Sequence, residues 1–146
     1  MKNLIAPHAS ETLKPLFIND SSERDAILEQ STSMSKLLLN SAAAANTVML
    51  GAGYFTPLNG FMDKKDAISV ANNMVTTDGL FWPVPIINLT RDIRSIKESE
   101  EIALLDPNVD GTPVIAIQKV ESIEVLTDSE MLNLAEKIFG TTDNKH

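Results

Sequence analysis

The sequence lacks most of the residue types on which disulfides, metal sites and membrane spans depend. It contains no cysteine, so it can form no disulfide and offers no thiolate to a metal. Its two histidines, His8 and His146, stand near opposite ends in polar surroundings, which disfavours a shared metal or acid–base site. No run approaches the ~20 apolar residues of a membrane-spanning helix, and the first ten residues lack the apolar run of a secretory signal. These absences predict a soluble, cytoplasmic protein with no membrane partner.

Positive charge is also scarce. Twelve Lys and Arg residues stand against 20 Asp and Glu residues, giving a net charge of −8. Such a chain repels phosphate backbones, so no nucleic-acid partner is expected. The 146 residues, 43% of them hydrophobic, are enough for one compact domain with its own core.

Aromatic residues are few, and most of them lie in one stretch, residues 53–89. This stretch holds the only Trp, the only Tyr, three of five Phe and three of seven Pro. Thr-Pro-Leu-Asn-Gly at 56–60 predicts a tight reversal, because proline presets φ and Asn-Gly tolerates positive φ. Phe55, Phe61 and Trp82 are predicted to be core and corner residues rather than a platform for a nucleotide.

The rest of this stretch predicts one helix and one strand. Asp63 is the predicted N-cap of a helix over residues 64–73, since its carboxylate can accept the free N–H groups of the first turn. Thr77-Asp78-Gly79 predicts a second turn. Residues 80–89 predict a strand, and the two prolines in it belong at its start or on an edge.

Further elements are predicted on either side. Helices are expected at 22–30, at 42–50 and before Gly140, and strands at 14–18, 37–39, 102–105 and 113–117. Asp20 and Thr127 each precede a glutamate by three residues, the spacing of a capping box. The first helix is expected to turn Ile27 and Leu28 inward, and residues 106–111 predict a hairpin-type connection. Short strands with three to four helices predict an α+β fold.

No catalytic or ligand-binding constellation assembles from the sequence. Gly51-Ala52-Gly53 lacks the Lys-Ser/Thr of a phosphate loop, and a helix C-terminus explains it better. Cap and turn roles account for the acids that could suit a hard cation, which are Asp63, Asp106 and Asp110. The sequence therefore predicts no catalytic, cofactor-binding or metal-binding residue in this chain.

The order of several short motifs resembles the N-terminal domain of ATP sulfurylase (sulfate adenylyltransferase). From about residue 13 to 146, the motifs are GYFTPLNGFM, DGLFWPVPI, ALLDP with GTPV, and FGTTD. The resemblance implies a PUA-like small β-barrel with flanking helices over residues 13–146. The residues before it are polar and aperiodic, which predicts an N-terminal arm at 1–12. The resemblance also implies a role in an enzyme that joins ATP and sulfate into adenosine 5′-phosphosulfate and diphosphate.

The resemblance implies that the chemistry lies outside this chain. In the family, the catalytic residues lie in the following domain on Gln-x-Arg-Asn-Pro, His-x-x-His and Gly-Arg-Asp motifs, and none of these occurs here. Arg24, Arg91 and Arg94 have no matching context. The implied partners are the catalytic domain and further copies of the enzyme, with ATP and magnesium used elsewhere. The end at His146 fits either a piece of a longer protein or a truncation.

An alternative is a stand-alone PUA-like module with a binding or regulatory role. PUA-like folds elsewhere bind RNA, but the net charge of −8 and the absence of a basic stripe disfavour that partner. A regulatory module that acts on a complete sulfurylase is the other form of this alternative.

Overall fold

A computed structural model describes residues 5–93 and 95–143, which form four α-helices and one three-stranded sheet. The helices are α1 (Ser21–Ser31), α2 (Ser41–Gly51), α3 (Lys64–Asn73) and α4 (Asp128–Phe139). The strands are β1 (Ser35–Leu38), β2 (Glu101–Leu105) and β3 (Val114–Lys119). The predicted α+β class is confirmed.

The chain divides into two compact units, each of which is described by itself. The first comprises Met1–Phe61 with Asn88–Glu121, and the second comprises Met62–Ile87 with Ser122–His146. The first unit contains the sheet with α1 and α2, and the second contains α3 and α4.

Strand β2 forms the centre of the sheet. It runs parallel to β1 and antiparallel to β3, so the expected hairpin-type connection after β2 is confirmed. Ile102, Ala103 and Leu104 are successive residues of β2, and all three are buried. Because successive side chains of a strand point to opposite faces, both faces of β2 are covered.

Within the described residues the sheet is open, with the strand order β1-β2-β3. It does not show the closed barrel that the family resemblance implied, because closure requires the outer strands to pair with each other or with further strands.

Two predicted strands are wrong. Residues 80–89 form only an isolated bridge, between Val75 and Phe81. The prolines at 83 and 85 carry no N–H and stand two residues apart, so one edge of this segment lacks two successive donors. Residues 14–18 are also not a strand.

Helix α2 has small, uncharged side chains in its first turns and begins with a side-chain cap. Asn40 accepts the backbone N–H of Ala43 through Oδ1 at 2.8 Å. Ala43, Ala44 and Leu50 form its buried face. Small alanines allow the helix to lie close to its neighbours, and α2 contacts β3.

Helix α1 begins where predicted but buries less than expected. Asp20 accepts the N–H of Glu23 at 2.8 Å, as the capping spacing predicted. Ile27 is half-buried, whereas Leu28 is exposed, so the inward orientation of Leu28 is wrong. Adjacent helix positions differ in direction by about 100°, so burying Ile27 turns Leu28 away.

The second unit is built on a pair of helices. Helix α3 has the predicted bounds, and Asp63 caps it by accepting the N–H of Asp66 at 2.8 Å. Helix α4 begins with a complete capping box formed by Thr127 and Glu130. The two helices contact each other. The apolar core of this unit consists of Ala67, Val70, Trp82, Ile86 and Leu134.

Candidate interaction surfaces

The aromatic and turn residues of stretch 53–89 have structural roles. Trp82 is buried and Phe55 and Phe61 are half-buried, which agrees with the predicted core and corner roles. The chain turns here, and the N–H of Leu58 donates to the carbonyl of Phe55 at 2.7 Å. Neither Asn59 nor Gly60 adopts the positive φ that Asn-Gly tolerates, and the Thr56–Pro57 peptide bond is cis.

The acidic candidates for a cation act as caps and turns. Besides the N-cap Asp63, Asp106 accepts the backbone N–H of Asn108 at 2.8 Å and its side-chain amide at 3.0 Å. Over residues 5–93 and 95–143, no group of three or more His, Cys, Asp or Glu side chains is arranged to hold a metal ion. Of the residues singled out earlier, Arg94 and His146 lie outside the described residues.

A segment that the sequence did not place correctly lies against the C-terminal end of α2. Within residues 13–17, the N–H of Leu16 donates to the carbonyl of Gly51 at 2.9 Å. The N–H of Lys14 donates to Thr56 Oγ1 at 3.0 Å. The segment is thus held by one backbone hydrogen bond to the helix end and one to a side chain just beyond it, partners 35 and 42 residues away that no local pattern indicates.

Two glycines make this close approach possible. A Cβ at Gly51 would lie 2.6 Å from Phe17 Cε1, and one at Gly53 would lie 2.9 Å from the backbone nitrogen of Pro15. Gly53 also has a φ of +77°, as expected for a residue that follows a helix C-terminus. The motif that resembles part of a phosphate loop is therefore a helix end on which another segment packs.

Apolar side chains face solvent around this junction. Val48 is 52% exposed and Met49 is 37% exposed on the side of α2 opposite its buried face. The α2 surface, as we call it, consists of Leu16, Phe17, Ala45, Val48, Met49 and Tyr54, all of which are exposed.

Four of the six residues of the α2 surface lie in the longest uncharged part of the chain. Residues 37–62 contain no Asp, Glu, Lys, Arg or His. Each of the other three described helices carries charged residues, whereas α2 carries none. A protein with 22% charged residues thus presents one helix whose exposed side is apolar or neutral.

In the second unit, Lys64 connects the first turns of α3 and α4 through hydrogen bonds and an ion pair. Its backbone N–H donates to Glu124 Oε2 at 2.8 Å, and its Nζ donates to the carbonyl of Val125 at 2.9 Å. Nζ also lies 2.8 Å from Glu130 Oε1. The hydrogen bond from Lys64, followed by one from the backbone N–H of Thr127, lowers the pKa of Glu130 from 4.5 to about 2.

A cavity of about 550 Å³ lies along α3. Its lining consists of Lys64, Lys65, Ile68, Ser69, Asn72, Asn73, Thr77 and Glu124. Several of its polar groups already have partners: Ser69 donates to the carbonyl of Val75 at 2.6 Å and Thr77 donates to Asp66 at 2.6 Å. Because the lysines share the cavity with the carboxylate of Glu124, the lining favours neither an anion nor a cation.

Two buried amide oxygens have no hydrogen-bond partner within the described part of the chain, Asn88 Oδ1 and Gln118 Oε1. A buried acceptor without a partner destabilises a fold by about 1–3 kcal/mol, and a bound water relieves that cost. Neither amide adds a group that could transfer a proton or act as a nucleophile.

None of the described helices is long and apolar enough to cross a bilayer.

Comparisons with known proteins identify the family. The model of the PUA-like domain matches residues 5–146, and the chain therefore belongs to the PUA-like domain family. Over its whole length it is 49% identical to a sulfate adenylyltransferase of Alcanivorax borkumensis, of which it spans 36%. It is 42% identical, over 98% of its length, to the sulfate adenylyltransferase of Allochromatium vinosum, of which it also spans 36%. The resemblance found in the motifs is confirmed, and in sequence the chain corresponds to the PUA-like part of these enzymes.

One solved structure is similar to this chain. A hexameric APS kinase from Thiobacillus denitrificans is similar with a TM-score of 0.67 and 29% sequence identity. The similarity covers 87% of this chain and 24% of that chain. The chain thus matches a part, and not the whole, of each of these larger proteins.

Proposed function

We propose that this chain acts as the N-terminal, non-catalytic domain of a sulfate adenylyltransferase, which joins ATP and sulfate into adenosine 5′-phosphosulfate and diphosphate. The observation that carries the proposal is the match along the whole chain to sulfate adenylyltransferases of which it spans 36%. The role of the domain is to support the catalytic part and the contacts between subunits in a cytoplasmic enzyme of sulfur metabolism.

The chemistry of the reaction supports this division of labour. Bringing together two polyanions requires clustered cationic side chains and helix N-termini. The N-termini of α3 and α4 are instead occupied by carboxylates of the same chain, those of Asp63, Glu124 and Glu130. ATP, magnesium and sulfate are therefore assigned to the catalytic part of the enzyme.

A homo-oligomeric parent enzyme is part of the proposal. The similar APS kinase is a hexamer, and the similarity covers 87% of this chain. Exposed apolar side chains supply contact area for neighbouring domains or subunits, among them Val48 in the first unit and Val125 and Phe139 in the second.

An exchange of domains tests the proposal. The segment of the Alcanivorax borkumensis enzyme that matches this chain is either deleted or replaced by the chain, and ATP formation from adenosine 5′-phosphosulfate and diphosphate is measured. We expect the chimera to be active, and the deletion variant to lose activity or stability. We expect the purified chain alone to be inactive.

Two results would contradict the proposal. ATP formation by the purified chain, dependent on diphosphate, would show that the chain is itself catalytic. An inactive chimera that is folded and has the oligomeric state of the unmodified enzyme would show that the chain does not replace the matched domain. As a matched control, a chimera carrying Val70→Lys in the buried core of the second unit should fail.

A further inference from the structure

The α2 surface is exposed and apolar, and none of its six residues is charged. On α2 itself, Ala45, Val48 and Met49 have the i, i+3, i+4 spacing that places side chains on one face. Phe17 and Tyr54 lie at the C-terminal end of the helix, where Phe17 contacts Gly51 and the N–H of Tyr54 donates to the carbonyl of Met49 at 3.0 Å.

The net charge limits which partner suits this surface. Two copies of a chain with a net charge of −8 repel each other, and charged side chains buried at their contact would add like charges at low dielectric. A contact through the α2 surface buries no like charges, because none of its six residues is charged, so only the longer-range repulsion between the copies remains. An acidic peptide or a nucleic acid would instead require basic side chains, which the surface lacks.

We propose that the α2 surface is the site at which two copies of this chain associate. The inference rests on the proposed function in one respect, namely that the parent enzyme is a homo-oligomer, and it names the surface that forms one subunit contact. A two-fold contact places the same patch on both partners, so an apolar and neutral patch is complementary to itself.

The helix geometry suits such a contact. The small side chain of Ala45 lies between larger neighbours on the exposed face, so the α2 helices of two copies can approach to about 8–10 Å between axes. The side chains of Val48 and Met49 then pack against the partner helix, and Phe17 and Tyr54 extend the contact beyond the helix end. Six side chains give a small interface, so the association of the chain by itself is weak.

Sedimentation velocity of the chain tests the inference. At about 100 µM protein, a concentration suited to a small interface, we expect a dimer that dissociates on dilution. Raising the salt concentration should increase the dimer fraction, because salt screens the repulsion between the acidic copies. A contact held together by ion pairs would respond in the opposite direction.

A matched pair of substitutions locates the contact. Val48→Glu and Leu132→Glu each add one negative charge at an apolar helix position, 52% and 54% exposed respectively. We expect Val48→Glu to weaken dimerisation at least tenfold, and Leu132→Glu to change it much less. Far-UV circular dichroism checks that each variant is folded. If Val48→Glu does not fold, Tyr54→Ser, which lies outside the helices, replaces it.

Three outcomes would overturn the inference. The chain is monomeric at about 100 µM at low and at high salt; Val48→Glu dimerises as the unmodified chain does; or Leu132→Glu is the variant that dissociates. A monomeric chain whose Val48→Glu variant inactivates the chimera would assign the α2 surface to the catalytic part instead. If only this inference is wrong, the chain does not dimerise through the α2 surface but the chimera is still active. An inactive chimera would contradict the proposed function instead, so the two failures are distinguishable.

Discussion

At the scale of single residues, Trp82 fixes the segment that follows α3. Its side chain is 7% exposed, and its backbone N–H donates to the carbonyl of Met74 at 2.8 Å. Replacing Trp82 with Ala removes a large buried side chain and should lower the free energy of unfolding by about 3–5 kcal/mol. Urea unfolding should be followed by far-UV circular dichroism, because Trp82 is the only tryptophan.

The neighbouring residue provides the control for Trp82. Phe81 is 54% exposed, so Phe81→Ala removes less buried apolar surface and should cost clearly less stability. Equal losses for the two variants, or an unchanged stability of Trp82→Ala, would show that Trp82 is not a core residue.

At the scale of elements, the contact of residues 13–17 with the end of α2 depends on Gly53. An alanine there must adopt a φ of +77° and place Cβ 2.9 Å from the backbone of Pro15. The left-handed conformation alone costs about 1–2 kcal/mol, and the contact with rigid backbone adds to it. We expect Gly53→Ala to lower the midpoint of urea unfolding.

Gly60 is the matched control for this substitution. It has no positive φ, and a Cβ built there would have no heavy atom within 4 Å. Gly60→Ala should therefore leave the unfolding midpoint unchanged or raise it slightly, since alanine restricts the unfolded chain. A Gly53→Ala variant as stable as Gly60→Ala would contradict the packing described for residues 13–17.

The ion pair between Lys64 and Glu130 predicts how the second unit responds to acid. The folded-state pKa of Glu130 is lowered to about 2, so its contribution to stability is present above its ordinary pKa of 4.5. That contribution is lost as pH falls from about 5 to 2. We expect Glu130→Gln to be less stable than the unmodified chain at pH 7, and the difference to shrink as the pH is lowered.

Glu136→Gln serves as the control for acid stability. Glu136 is exposed on the same helix, and its removal changes the net charge by the same amount. It should leave the pH dependence of urea unfolding nearly unchanged. If Glu130→Gln and the unmodified chain differ equally at pH 7 and at pH 3, the charge of Glu130 is not what stabilises the junction of α3 and α4.

At the scale of the whole molecule, the charge of −8 sets the response to polyanions. The chain lacks the excess of lysine and arginine that binds phosphates and releases counterions. We expect no retention of single-stranded or duplex RNA in filter binding at low salt with about 100 µM chain. Micromolar affinity that weakens as salt is added would contradict this expectation and favour a stand-alone RNA-binding module.

The sequence by itself determined the helices that begin with their own caps. Asp63 and Thr127 bind N–H groups three residues further along the chain, so local spacing is sufficient to predict where α3 and α4 begin. The central strand β2 was also predictable, because an apolar run followed by a connection that contains Pro, Asn and Gly is local information. The order of the short motifs correctly indicated the family.

Only the tertiary structure decided where the irregular segments lie and which faces remain exposed. Residues 14–18 and 80–89 have the apolar composition of strands, but their hydrogen-bond partners are distant in sequence or absent at proline. The partner of Glu124 is also distant in sequence, because Glu124 accepts the backbone N–H of Lys64, 60 residues away. The helical pattern of α2 did not tell which side faces solvent, because alanine suits both sides. Which side is buried depends on the packing of α2 against the sheet, and this leaves the α2 surface open to a partner.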